Sequence, residues 1–355
     1  MLAADASNTL GRTPPAAGRP GPVGIVSTAR DGLVAPLVAA AAAVLAEQGR
    51  GPVRLEDPAG EADLEDVLMM GYPGGYWPFL QAPRSARRIA WFGEPLPRPG
   101  TSGPATRTGA ATLRRAGLNV ARRTLGPLTR RSDLGRFADI RAAASIERER
   151  LVNLHEALYA AERTDRIVTT SNDRQAILAA NGVDAIVVPF GYHEAWAGPL
   201  TPPDSPGRDL PFVFLGSDPR ADHLRRGRIV RDIVDRLAPV GELTMIDGVW
   251  GAQRDAILRR GKVLVDVLRV PGNFTGIRLT IGLAAGLVVV TEPLDDPRPF
   301  VPGEHFVSAP ADRLAAEALD LVADEDRRRR IVESGQQFLR TRLTMAATLC
   351  DVLAP

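Results

Sequence analysis

The stretch from Asn273 to Glu292 (Asn-Phe-Thr-Gly-Ile-Arg-Leu-Thr-Ile-Gly-Leu-Ala-Ala-Gly-Leu-Val-Val-Val-Thr-Glu) holds the residue types and spacings best suited to chemistry. It reads as a loop, a short helix with Arg278 in its first turn, a tight turn at Gly286 and a buried strand ending in Thr291 and Glu292. An apolar strand, Val263 to Leu268, precedes it, and an Asp/Pro loop, Leu294 to Pro299, follows. A guanidinium on a first helical turn and a carboxylate at a strand's end meet at the carboxyl edge of an open α/β sheet, where such sheets bind ligands. The rest of that helix face, Leu279, Ile281, Leu283 and Ala284, is apolar, so Arg278 needs an anionic partner. One reading pairs it with Glu292 as a structural ion pair. The other places Arg278 on a nucleotide diphosphate and Glu292 on ribose or sugar hydroxyls, with Asn273, Thr275 and the Gly276 backbone completing the loop.

A second group follows Phe212-Val-Phe-Leu-Gly-Ser217. A buried strand running into Gly216 and Ser217 turns backbone N–H groups toward the same edge. The segment after it carries Arg220, Arg225 and Arg226, one of which is expected to turn inward onto a phosphate. The alternative is a helix start with arginines in solvent. In the first half three acids follow strand ends: Asp31, Glu94 and Glu194, the last beside His193. Each has the chemistry of a general base, with Asp31 and Glu94 leading. The competing readings make Asp31 a helix cap and pair Glu94 with Arg87 or Arg88. Trp250, after the strand Leu243 to Ile246, reads as a packing residue, and His155 as structural.

The elements that must position these groups alternate strand and helix. Val23 to Ser27, Val53 to Leu55, Val67 to Met70, Arg88 to Phe92, Arg166 to Thr170 and Ala185 to Val188 read as strands of a first α/β unit, with Ser171 capping a helix to Ala180. Gly198 to Arg208 is the clearest linker, rich in Pro, Gly and Asp. Alternation then restarts with Phe212 to Leu215, the helix Arg226 to Leu237, the strands Leu243 to Ile246 and Val263 to Leu268, and closing helices from Asp312 to about Leu353.

Composition narrows the function classes. A chain of 355 residues exceeds one ordinary core, so two domains are expected. The longest apolar stretch, Leu33 to Ala46, is too short to span a bilayer. The first 21 residues lack a continuous apolar segment and read as a disordered tail, not a signal peptide. A single cysteine, Cys350, permits no internal disulfide. These features favour the cytoplasm. With four His and one Cys, and no Asp-x-Asp after an apolar strand, no metal is implied. G-x-G-x-x-G, Walker A, H-E-x-x-H and G-x-S-x-G patterns are all missing. A net charge of +2 conceals a basic block: residues 107–150 hold eleven Arg against Asp133, Asp139, Glu147 and Glu149. Such a block suits a peripheral contact with the inner membrane face or an anionic acceptor, or is a solvated helical face. Without interleaved aromatics it argues against nucleic acid.

Several of these pieces resemble the GT-B-fold glycosyltransferases, the group-1-like bacterial kind and its spore-maturation-protein-like branch. They are Val188-Pro-Phe-Gly-Tyr192, Phe214-Leu-Gly-Ser217, Asn273 through Glu292, Pro302-Gly-Glu-His-Phe306 and the Arg/Glu-rich terminal helices. The resemblance implies two Rossmann-like domains facing across a cleft: an acceptor domain over 22–197, a linker at 198–208, a nucleotide-sugar domain over 209–337, and a helix over 338–355 returning to the first domain. Gly216 and an Arg among 220–226 would match the family's phosphate loop, and Arg278 and Glu292 its donor-binding positions. Many retaining members carry Glu-x7-Glu here. This chain has Asn273 and Ile281 at those positions, so those donor contacts do not carry over and the stereochemistry stays open. The expected activity is metal-independent transfer of a sugar from a nucleoside diphosphate sugar, its only co-substrate and no bound cofactor, to a hydroxyl of an unidentified acceptor. The alternative is a catalytically inactive relative that binds a nucleotide or a partner.

Overall fold

The computed structural model describes residues 21–27, 34–51, 53–54, 64–70, 85–93, 96, 150–216 and 224–355. Runs such as Val23–Val26 and Val288–Thr291 are apolar without alternation and buried at every position. That is the signature of parallel strands covered by helices on both faces.

The first unit comprises β1 (Val23–Val26), α1 (Val34–Glu47), β2 (Val53–Arg54), β3 (Asp66–Met70), β4 (Arg87–Phe92), a helix α2 over 150–161, β5 (Arg166–Thr169), α3 (Asn172–Ala180), β6 (Ile186–Val187) and the single turn α4 (Glu194–Ala197). Its six strands are parallel in the order β2-β1-β3-β4-β5-β6. The second unit comprises β7 (Leu210–Leu215), α5 (Leu224–Leu237), β8 (Leu243–Ile246), α6 (Gly251–Leu258), β9 (Gly261–Asp266), α7 (Gly276–Ala284), β10 (Val288–Thr291), β11 (Val307–Ser308), α8 (Leu314–Ala323) and α9 (Glu325–Thr341). Its strands run parallel in the order β8-β7-β9-β10-β11. In each sheet the winding reverses beside the first strand. The second sheet therefore has its switch point between β7 and β9, the place where such sheets open a crevice at their carboxyl ends.

Local signals account for most boundaries. Gly286 takes φ 79° just past Ala285, the C-cap of α7, a conformation glycine adopts without steric penalty, and starts the turn into β10. Asp324 caps α9, accepting from the Arg327 N–H at 2.8 Å. Ser171 sits at the N-cap of α3 but makes no side-chain cap bond, because its hydroxyl donates to Asp173 and accepts from Arg174. β11 has two residues, too few for any pattern to announce it.

The last helix, α10 (Met345–Leu353), crosses from the second unit to the first. At the crossing Tyr192 N–H donates to the Leu343 carbonyl at 2.6 Å, and Met345 N–H donates to the Tyr192 carbonyl at 2.8 Å. Leu349, Val352 and Leu353 then join one apolar cluster with Leu37, Leu45 and Trp91 of the first unit. The orphan carbonyls at the end of α10 are satisfied by two arginines at the amino ends of strands. Arg87 donates to Leu353 at 2.7 Å and to Ala354 at 2.6 Å, and Arg166 donates to Val352 at 3.1 Å and to Ala354. Asp66, fully buried, holds Arg87 at 2.8 Å and Arg50 at 3.0 Å. Burial, and after it the charge of Arg87, press the Arg166 pKa below its ordinary value.

Candidate functional site

At the carboxyl ends of β7, β9 and β10 the chain places Gly216, Asp266 and Glu292 side by side, and α5 and α7 bring arginines over them. Arg226 is 3 % exposed. It lies on the buried stripe of α5 formed by positions 226, 230, 233 and 237, whose other members are Val230, Ile233 and Leu237. Its Nε donates to the Val267 carbonyl at 2.8 Å, and its guanidinium lies 4.9 Å from the Phe214 ring centroid. Arg278 comes from the first turn of α7, and its Nε donates to the Leu215 carbonyl at 3.2 Å. The two arginines thus cross, each anchored to the end of a strand.

Both anchors leave the Nη2 atoms aimed at Gly216. A Cβ there would stand 3.3 Å from Arg278 Nη2 and 3.8 Å from Arg226 Nη2, and φ of 128° excludes most side chains as well. Among the described residues other than its chain neighbours, no other side-chain atom comes within 4 Å of that position. Arg226 Nη2 is buried without a hydrogen-bond partner. Burial, and then the charge of Arg278, depress its pKa to about 10, while Asp266 and Glu292 oppose the shift, so the side chain stays cationic at neutral pH. A buried cationic donor with nothing to bond asks for an explanation. A phosphate oxygen supplies one.

The carboxylates divide the remaining work. Glu292, 3 % exposed, pairs with Arg225 and accepts from the Leu268 N–H at 2.8 Å. Asp266, 1 % exposed, has Oδ1 at 3.3 Å from Arg278 Nη1 and accepts weakly from the Thr291 hydroxyl at 3.4 Å. Arg278 and Glu292, the structural pair considered from sequence, are therefore not each other's partners.

The other residues singled out from sequence are distributed as follows. Arg225 lies on the exposed side of α5 and is tied to Glu292 and the Leu268 carbonyl. Thr275 is the N-cap of α7, buried but making no side-chain cap bond, and Gly276 begins the helix with the Phe274 ring against its α-carbon. Asn273 is half-buried in the loop between, its N–H on the Val270 carbonyl at 3.2 Å. Ile281, at the second of the Glu-x7-Glu positions, is core. Ser217, Arg220, Asp31 and Glu94, together with nearly all of the basic block 107–150, lie outside the described residues. His193 accepts from the Ala195 N–H at 3.2 Å and caps α4, whose first residue is an exposed Glu194. Trp250 is 49 % exposed, which corrects its reading as a packing residue: it stands at the N-cap of α6, beyond the edge strand β8.

Asp266 was missed. Its signal was a lone carboxylate in the apolar run Val263 to Leu268, a position that burial penalises unless a cation or ligand compensates. Among the described residues no group of three or more His, Cys, Asp or Glu is arranged to hold a metal ion, and no helix is long and apolar enough to cross a membrane.

Comparison with known proteins agrees with this architecture. Residues 210–354 match the family described as glycosyl transferase-like. No curated protein sequence matches the chain. The fold is shared with an alpha-glucosyltransferase solved in complex with UDP-glucose and DNA containing an abasic site (TM-score 0.56, 8% identity, 94% of this chain and 99% of that one). It is shared also with Anabaena Alr3699/HepE in complex with UDP-glucose (TM-score 0.55, 10% identity, 94% and 98% coverage). An S. aureus TarM variant in complex with Fondaparinux, alpha-GlcNAc-glycerol and UDP is similar as well (TM-score 0.50, 8% identity), but the chain, 82% of which aligns, covers only 56% of that protein. The chain therefore has the two-sheet GT-B fold of these proteins, and its second unit carries the match to the glycosyl transferase-like family.

Proposed function

We propose that the protein transfers a sugar from a nucleoside diphosphate sugar to an acceptor hydroxyl, and that the switch point of the second sheet holds the diphosphate. The observation that carries this reading is the convergence of Arg226 and Arg278 on the open face of Gly216, with a buried Nη2 left unpaired. Transfer leaves negative charge on the departing diphosphate. Guanidinium groups fixed beforehand by backbone carbonyls stabilise that charge without reorganising. Among the described side chains four arginines, Arg225, Arg226, Arg269 and Arg278, surround Asp266 and Glu292, so the net charge favours an anion. These arginines take the role of a divalent ion in this reading, and transfer persisting in excess EDTA is the expected result.

A hydroxyl acceptor needs a base or a positioning group from the first unit. Asp31, four residues after Ser27, and Glu94, next to Gly93 at the end of β4, keep that assignment. The basic block 107–150 suits a lipid-linked or otherwise anionic acceptor at a cytoplasmic membrane face. Flotation with anionic liposomes that fails to carry the protein would remove that part. The spore-maturation-protein-like branch, the domain limits drawn from sequence and a cytoplasmic location belong to the same proposal.

A thermal-shift screen of UDP, GDP, dTDP and ADP sugars tests the core of the reading. A ligand at 100 times its Kd adds about 2.7 kcal/mol of stability, and no response to any of the four would refute it. Asn273 and Ile281 in place of the glutamate pair support a second reading, a nucleotide-binding protein without transferase activity. Hydrolysis of a donor, or transfer to any acceptor, excludes it.

A further inference from the structure

The diphosphate site contains two unsatisfied buried atoms of opposite sense. Arg226 Nη2 is a donor without an acceptor, and Asp266 Oδ1 is an acceptor without a hydrogen-bond donor. Oδ1 lies 3.3 Å from Arg278 Nη1, close enough for ion pairing, yet no N–H of Arg278 is aligned on it. Glu292 differs in that one oxygen accepts from Leu268 N–H and both accept from Arg225, so neither is left without a donor. A bare phosphate satisfies the arginine and offers the aspartate nothing. The ligand that completes both atoms carries a hydroxyl close to its phosphate.

In a nucleoside diphosphate sugar the transferred sugar's 2-hydroxyl is the nearest. It is separated from the phosphate ester oxygen by two carbons, whereas the ribose 3′-hydroxyl is separated from its ester oxygen by three. Building on the diphosphate site proposed above, we infer that Asp266 accepts a hydrogen bond from the hydroxyl next to the anomeric carbon of the donor sugar. The specificity-determining acceptor is thereby Asp266, on β9, and not Glu292, on β10. Arg278 links the two halves of the recognition: Nη2 faces the space above Gly216 and Nη1 faces Asp266. Its side chain is 28 % exposed, beside a carboxylate that is 1 % exposed. Thr291, paired with Asp266 in the β9–β10 register, steadies the other oxygen.

Titration calorimetry separates this role from a merely structural one. The probes are UDP, UDP-glucose and UDP-2-deoxyglucose, with GDP, GDP-mannose and GDP-2-deoxymannose as a second set. Wild type is expected to bind the complete sugar nucleotide at least about tenfold more tightly than its 2-deoxy analogue, the ordinary worth of a hydrogen bond to a charged group. Asp266→Asn is expected to erase that ratio while changing the Kd for the bare nucleotide less than about threefold. Equal binding of parent and deoxy analogue by wild type overturns the inference without any variant being made. Parallel weakening of nucleotide and sugar nucleotide in Asp266→Asn also overturns it, and reduces Asp266 to a counter-charge for Arg278. Failure of wild type to bind any of the six probes removes the diphosphate site itself, and this inference with it.

Discussion

Arg226→Met separates binding chemistry from structural need. The buried guanidinium is held at a pKa of about 10, against an ordinary value of 12.5, chiefly by desolvation. A depression of that size corresponds to about 3 kcal/mol of penalty on the charged form at neutral pH. Methionine fills similar space without the charge and removes the penalty. Against this stand the lost bond to the Val267 carbonyl, about 1–3 kcal/mol, and the lost contact with the Phe214 ring, about 0.5–2 kcal/mol. The two sides nearly cancel, so Tm of the variant is expected within roughly 4 °C of wild type. Nucleotide-induced stabilisation, about 2.7 kcal/mol for wild type at 100 times Kd, is expected to vanish. The pH dependence has a definite sign. Because the folded pKa lies below the unfolded one, the unfolded chain binds more protons between them. Wild type therefore gains stability relative to the variant as pH rises through about 10. Differential scanning fluorimetry with and without UDP-glucose, at pH 7.5 and pH 10.5, reads all three quantities. Loss of several kcal/mol in the variant, or an undiminished response to ligand, would refute the assignment of Arg226 to the diphosphate.

Arg278→Ala is expected to lower kcat by roughly 10²–10³, the effect of removing one preorganised donor from a developing charge, with an unchanged circular-dichroism spectrum; full activity would contradict it. Gly216→Ala forces a Cβ to 3.3 Å from Arg278 Nη2 at φ 128°, and should destabilise by about 1–3 kcal/mol while weakening nucleotide binding, measured by chemical unfolding and calorimetry. Burial holds the His305 pKa below 6.5, outweighing the neighbouring Glu304. The unfolded chain thus takes up the proton first, and stability should decline as pH falls through 6.5. His305→Gln, which can still accept from Val301 N–H, should flatten that decline. Arg87→Ala strips the buried Asp66 of one partner and α10 of two carbonyl contacts, so a loss of about 3–5 kcal/mol is expected in urea unfolding.

The strands were legible because burial on both faces leaves unbroken apolar runs, and the turn at Gly286 and the cap at Asp324 follow from local backbone chemistry. The inward arginine could have been chosen from sequence: position 226 shares the phase of Val230, Ile233 and Leu237, and position 225 does not. Arg278 and Glu292 were visible as individual residues, but their partners were not, since pairing across β7, β9 and β10 depends on strand order. That order also hid Asp266, which matters only because β9 lies between β7 and β10. β11 escaped for want of length, and Trp250 because an edge position cannot be told from a central one before the sheet is assembled.

The crossing of α10 imposes an order on biosynthesis. The apolar flank of α1, made within the first 47 residues, is covered by side chains that leave the ribosome some 300 residues later. The first sheet therefore waits, partly uncovered, until the second unit and the helix after it have been translated. Cells must shield that flank or tolerate its stickiness, and messages cut short before codon 345 should yield chains that chaperones retain.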